Sequence, residues 1–373
     1  MEKLPNSRDF PNYPLFNFVL DGRKEQKMKK IGTIFIVILL ATGAYFYFSS
    51  NKNTKSPEEY RLDVTHVSDI EESRKYGQGV GGHCYLASTT MMLKSFDPTI
   101  EFWQVVVARG NATSFTYYFP KGNESEIKEG LGGLGTIMAL TAIRNMGYQP
   151  HVRLRGLPIL SNNNGWFTMA KELGGEAKTY LLTPPMNEYK SVIASGIPLV
   201  AAGSPCWRDY NVVEGYDKDK LFVVVPDPDD EGKTDPKISC SMGLGLQHEV
   251  FWATPLDKQM RHREIIADMK SYAQESPEQI LMYANYLEKG SSIVNFEIGR
   301  IYLARLLAAK YLEERGYKEL ALGYGKSADL FRNLTEFAPF DASKHKEEIV
   351  KTMREIAENE KNMLNKWESV SVR

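Results

Sequence analysis

The chain has 373 residues, 42% of them apolar and 25% charged, and a formal net charge of −1. That length allows two or three domains of ordinary size, and the apolar fraction suffices to bury a core. The near-neutral balance excludes a broad electrostatic footprint for nucleic acid, and three cysteines neither staple a scaffold nor match a zinc spacing, so no metal or other cofactor is expected.

Residues 1–30 read as a cytoplasmic tail. Ile31 to Phe48 is an 18-residue run without a charge, preceded by Arg23, Lys24, Lys27, Lys29 and Lys30. At 1.5 Å per residue it spans roughly 27 Å, enough for a hydrocarbon core. The basic flank keeps the N-terminus in the cytoplasm and sends everything after Ser49 outside. Residues 31–49 are therefore expected to be a single-pass membrane anchor. A cleaved signal peptide is the competing reading, because Met28-Lys29-Lys30 also resembles a start. Ala41, Gly43 and Ala44 lie inside the apolar run and Tyr45 to Phe48 close it like an interface belt, which favours the anchor.

Residues 50–75 are polar and read as a linker. From Tyr76 the pattern is mixed. A glycine-rich loop, Gly77 to Gly82, leads into a helix carrying Leu86, Met92, Leu93 and Phe96. Further helices are expected at Ile100–Arg109, Thr136–Met146, Phe167–Leu173 and Met186–Ser195. Strands follow at Leu199–Ala202, Asn211–Gly215, Leu221–Val225 and Glu249–Ala253. Helices first and strands later argue for an α+β domain over residues 76–256. After Pro255 the apolar residues recur at helical spacing, as in Ile301, Ala304, Ala308, Tyr311 and Leu312. Residues 257–373 are expected to be all-helical, as a stalk more than as the degenerate tetratricopeptide-type pair that Leu307 to Ala328 resembles.

A thiol becomes a useful nucleophile when its pKa falls, and a helix N-terminus lowers it. Cys84 sits where the glycine loop ends and the helix begins, and Gln78 lies six residues earlier, placed to help hold an oxyanion. Gln-x5-Cys at the head of the first long helix resembles papain-like cysteine peptidases, most closely the bacteriocin-leader-processing branch, family thirty-nine. The rest of that pattern reads here as Ala87-Ser88, Met92 and Leu93; then Gly196-Ile-Pro198; then Asp209 through Gly215-Tyr216-Asp217; then Leu221–Val225 and Asp227-Pro228, closed by Phe251-Trp252.

The resemblance implies a fold of N-terminal helices and a C-terminal antiparallel sheet, with Cys84 as nucleophile, Gln78 as oxyanion donor and Asp227 as the residue that orients a histidine. Two positions depart from the family. Tyr85 stands where glycine is common, and Asp209 stands where the histidine should open the strand. A carboxylate there cannot pair with a thiolate and raises the thiol pKa. His248, just before the last strand, is the candidate replacement base, ahead of His83 and His151.

Other signals are poorer. Gly130-Leu-Gly-Gly-Leu-Gly135 fits a dinucleotide fingerprint but follows a polar stretch, so a loop-to-helix turn is expected. The acidic turn at Asp227, Asp229 and Asp230 reads as solvated. The sequons at Asn111, Asn123 and Asn333 matter only in a glycosylating host. Cys206 and Cys240 either bridge, leaving Cys84 free, or all three cysteines stay separate. Three functions remain open: a membrane-tethered cysteine peptidase acting on peptides or proteins; a papain-like pseudoenzyme binding them, whose helical tail docks a partner or self-associates; or a structural exported protein with Cys84 as a core thiol.

Overall fold

The computed structural model describes residues 57–77, 83–115, 124–155, 175–180, 184–204, 207–218, 220–228, 235–241, 249–288, 295–335 and 342–371. The architecture is α+β with a helical C-terminal region. Among the described residues eight strands and nine helices follow one another as β1 (Glu59–Arg61), α1 (Asp69–Arg74), α2 (Cys84–Lys94), α3 (Phe102–Ala108), α4 (Glu124–Asn145), β2 (Tyr148–Arg155), β3 (Glu176–Tyr180), α5 (Met186–Ala194), β4 (Leu199–Ser204), β5 (Trp207–Asp217), β6 (Lys220–Val224), β7 (Lys237–Ser241) and β8 (Glu249–Pro255), then α6 (His262–Glu288), α7 (Asn295–Glu314), α8 (Lys318–Thr335) and α9 (Ala342–Glu368). The expected helix at Phe167–Leu173 and the apolar run Ile31–Phe48 lie outside the described residues; within them, no helix is long and apolar enough to cross a membrane.

The strands run in the order β3-β2-β8-β4-β5-β6-β7. The sheet is mixed, not wholly antiparallel as expected, because β2 and β3 pair in parallel from His151↔Glu176 to Arg155↔Tyr180. The long connection between those two strands provides the crossover that a parallel pair requires. β1 pairs with β5 at Gly215–Asp217, on the edge that β4 leaves at Leu199↔Val213. Part of the stretch read as a linker thus belongs to the fold. Its attachment is electrostatic as well as backbone: Arg61 Nε and Nη2 donate to Glu214 Oε1 at 2.9 and 2.8 Å, and Glu214 is fully buried on β5.

Side chains alternate across a strand, and β8 shows what covers each face. Trp252 meets Tyr189 of α5 edge-on at 6.5 Å. Phe251, pointing the other way, packs on Tyr210, whose hydroxyl reaches Thr136 of α4. Helix α5 therefore covers one face, while α2 and α4 cover the other. Buried on both sides, Val250 to Ala253 form a continuous apolar run. Helix α2 is buried nearly all round, from Tyr85 to Leu93, as a central helix should be.

The C-terminal helices are not a stalk. α7 packs on α8 and α6 on α9, and the set joins the sheet region in one compact unit, Ser56–Arg373. The join is polar at its centre. Arg305, fully buried on α7, donates through Nε and Nη2 to both carboxylate oxygens of Glu360 on α9, at 2.7 and 3.1 Å. Its Nη1 donates to the carbonyls of Ala112 and Ser114, at 2.7 and 3.2 Å, in the segment after α3. Ser276 of α6 closes the network, accepting from Arg305 Nη2 and donating to Glu360 Oε2. Thr113 Oγ1 donates to the Met269 carbonyl of α6, and Lys310 of α7 sits 4.0 Å from the Trp103 ring of α3.

Candidate functional site

Cys84 is the first residue of α2, and His83 before it is the N-cap. The N-cap geometry is held from α1: the His83 N–H donates to Asp69 Oδ2. Asp69 is itself fixed because Ser68 caps α1, accepting from the Glu71 N–H at 3.0 Å. The residue is half-buried, and its sulfur lies by the start of β5, where the Tyr210 backbone N–H donates toward it.

That environment keeps the sulfur protonated. Burial first, then the charges of Asp209 and Asp69, push the thiol up to about 12, against smaller lowering effects from the Tyr210 N–H and Arg300. At pH 7 this leaves about one thiol in 100,000 ionised. The electropositive end of α2 does not offset two neighbouring carboxylates.

Asp209 is exposed, on the strand facing the thiol. Asp227, the expected orienter of an imidazole, accepts through Oδ1 from Ser68 Oγ at 2.7 Å and from the Ile70 N–H at 3.2 Å. It completes the N-terminus of α1. Gln78 and His248 lie outside the described residues. His83 is buried with neither ring nitrogen hydrogen-bonded; burial and the cations Arg109 and Arg300 hold it neutral. His151 stacks on Trp252 at 5.3 Å, so it belongs to the α5 face and not to the Cys84 face. Tyr85 is structural: its ring meets Tyr210 edge-on at 5.9 Å, and its hydroxyl accepts from Arg109 Nη1 at 3.0 Å.

Three residues that the sequence reading passed over complete the site. Thr136 Oγ1 donates to Glu249 Oε2. The Tyr210 phenol, 2.9 Å from Thr136 Oγ1, hydrogen-bonds the same carboxyl. Burial raises Glu249 to about 7 in spite of these two donors. Gly135 lets the group close up, since a Cβ there would stand 2.9 Å from the Tyr210 hydroxyl. A period-2 reading of Glu249, Phe251 and Ala253 would have flagged the carboxyl, because it shares the phase of a buried phenylalanine.

The remaining motifs resolve otherwise. Gly130 to Gly135 lie inside α4 and not at a turn before a helix. Asn111 is fully buried, and Thr113 is engaged with Met269, so the first sequon offers no surface for a glycan in the folded chain. Asn123 lies outside the described residues. Cys206 and the side chain of Cys240 lie outside them as well, and with them the expected bridge. No group of three or more His, Cys, Asp or Glu side chains able to hold a metal occurs among the described residues. No protein-family model matches the chain, and neither does any curated protein.

Proposed function

We propose that residues 76–256 are a catalytically silent, papain-like relative of the leader-processing cysteine peptidases, which binds peptide or protein segments at the Cys84 cleft. The observation that carries the reading is the pairing of a thiol at a helix head with a carboxylate, Asp209, where an imidazole would be needed. Burial first, and that carboxylate next, hold the sulfur neutral, and a neutral thiol is a poor nucleophile. The run Ile31–Phe48 supplies the tether and puts the cleft outside the cytoplasm, where protease added to intact cells would reach it. The helical region supplies a second surface, a cleft of about 710 Å³ between α7 and α8 lined in part by Tyr76, Lys310, Leu322 and Lys326.

The second reading is an active peptidase with His248 as base. It is favoured by one observation: Cys84 is the first residue of α2, the place of the nucleophile in the family that the sequence resembles.

Thiol alkylation separates the two. In the wild type, Cys84 should react slowly below pH 8, as a thiol with a pKa of about 12 does. Asp209→Asn should speed alkylation at pH 7, and Asp209→His should speed it at least about tenfold, because an imidazolium replaces a carboxylate. Fast alkylation of the wild type below pH 7, with peptide cleavage abolished in Cys84→Ala, would overturn the silent reading in favour of the active one.

A further inference from the structure

We propose that Glu249, Thr136 and Tyr210 form a proton-operated latch on the Cys84 cleft, closed when the Glu249 carboxyl is protonated and loosened when it ionises. The inference goes beyond the functional reading above, because it concerns access to the thiol whether or not the thiol reacts with a substrate.

The geometry gives the latch its parts. Tyr210 is the hinge: its backbone N–H donates to the Cys84 sulfur, its ring packs against Tyr85 of α2 and Phe251 of β8, and its hydroxyl bonds Glu249 and Thr136. Whatever moves Tyr210 moves the backbone beside the thiol.

The carboxyl is placed to move it. Tyr210 from β5 and Thr136 from α4 face it, and its register partners are Leu154 of β2 and Ala202 of β4, neither of them ionisable. Helix α2 presents Cys84, and Asp209, Asp69 and Arg300 stand around that thiol. Among the described residues no cation pairs with Glu249. The two hydroxyl donors favour the ionised form, but burial outweighs them and favours the protonated one. A buried carboxylate with two neutral donors and no counter-charge is expensive, and the cheapest relief is water entering beside Tyr210. Burial sets the titration near pH 7, so the latch would work within the ordinary range of an exported protein.

Alkylation of Cys84 in the full-length protein by iodoacetamide, read by mass mapping of the Cys84 peptide between pH 5 and 9, tests it. A fixed cleft gives a straight tenfold gain per pH unit. The latch predicts an additional rise centred near pH 7 in the wild type and its disappearance in Glu249→Gln, which keeps the shape and stays neutral. A straight wild-type profile, or the same excess in Glu249→Gln, would overturn the proposal. Should Glu249→Gln not fold, Thr136→Val serves: losing a donor to the carboxylate moves the step to higher pH, and an unmoved step counts against the latch. Failure here leaves the silent-peptidase reading standing, since that reading depends on slow alkylation below pH 8 and on its response to Asp209.

Discussion

A carboxyl buried with no cation beside it among the described residues has a definite effect on stability, and Glu249 makes the sign plain. In the unfolded chain it titrates near 4.5, and in the folded protein near 7. Between those values the folded state holds a proton that the unfolded state has lost, so stability falls as pH rises. The contribution is fully present below about pH 4.5 and gone above about pH 7, a swing of about 3 kcal/mol. Glu249→Gln removes it. Urea midpoints of variant and wild type should therefore diverge in the variant's favour as pH rises from 4.5 to 8; a constant difference would mean that the carboxyl is solvated. Glu176 runs the other way: Lys178, with help from Arg153, holds it down at about 2, so its support appears above pH 4.5 and fades in strong acid. Its half-exposed position keeps that support small. Cys84 combines both lessons, since its neighbours decide its chemistry more than its place at a helix head does.

At the scale of elements, β1 shows how a short segment is admitted to a sheet. Gly215 of β5 leaves room for it: a Cβ there would stand 2.5 Å from the Tyr60 carbonyl oxygen. Gly215→Val should expel β1 without unfolding the sheet, at a cost of about 1–3 kcal/mol. Limited trypsinolysis should then cut after Arg61 several-fold faster, and unchanged cleavage would refute the role given to Gly215. The same strand explains what sequence alone missed. Three polar residues in a polar stretch carry no periodicity, and their place is decided by Glu214 and Gly215, some 150 residues away in sequence. β2 was legible in principle: Tyr148, Pro150, Val152 and Leu154 alternate with Gln149, His151 and Arg153. Pro150 hides the pattern, yet it is tolerated because pairing with β3 starts only at His151. The helix headed by Cys84 and the four apolar strands were readable because each carries its own burial signal. The surroundings of Cys84 were half readable. A resemblance pointed at Cys84 and Asp209 and assigned Asp227 a role whose carboxylate is engaged at α1. Glu249 and Thr136 were missed because their meaning lies in long-range contact.

For the whole molecule, the decisive joint is the buried pair between Arg305 and Glu360. It ties α7 to α9 and, through the carbonyls of Ala112 and Ser114, ties the helical region to the sheet region. All the guanidinium donors and both carboxylate oxygens are engaged, and the Tyr324 and Phe331 rings lie 5.7 and 6.0 Å from the cation. Such a pair adds little net stability over a well-packed apolar substitute, but breaking it strands a charge. Glu360→Ala should therefore cost about 3–5 kcal/mol, and Arg305→Ala a similar amount. The double replacement Arg305→Met with Glu360→Leu should recover part of that loss, though the Ala112 and Ser114 carbonyls would then lose their donor. If the joint couples the two regions, urea unfolding of the wild type, read by near-UV and far-UV circular dichroism, should be a single transition. Glu360→Ala should split it, the helical region melting first. Two separate transitions in the wild type would show that the regions fold independently and that the network at Arg305 is a local feature of the helices.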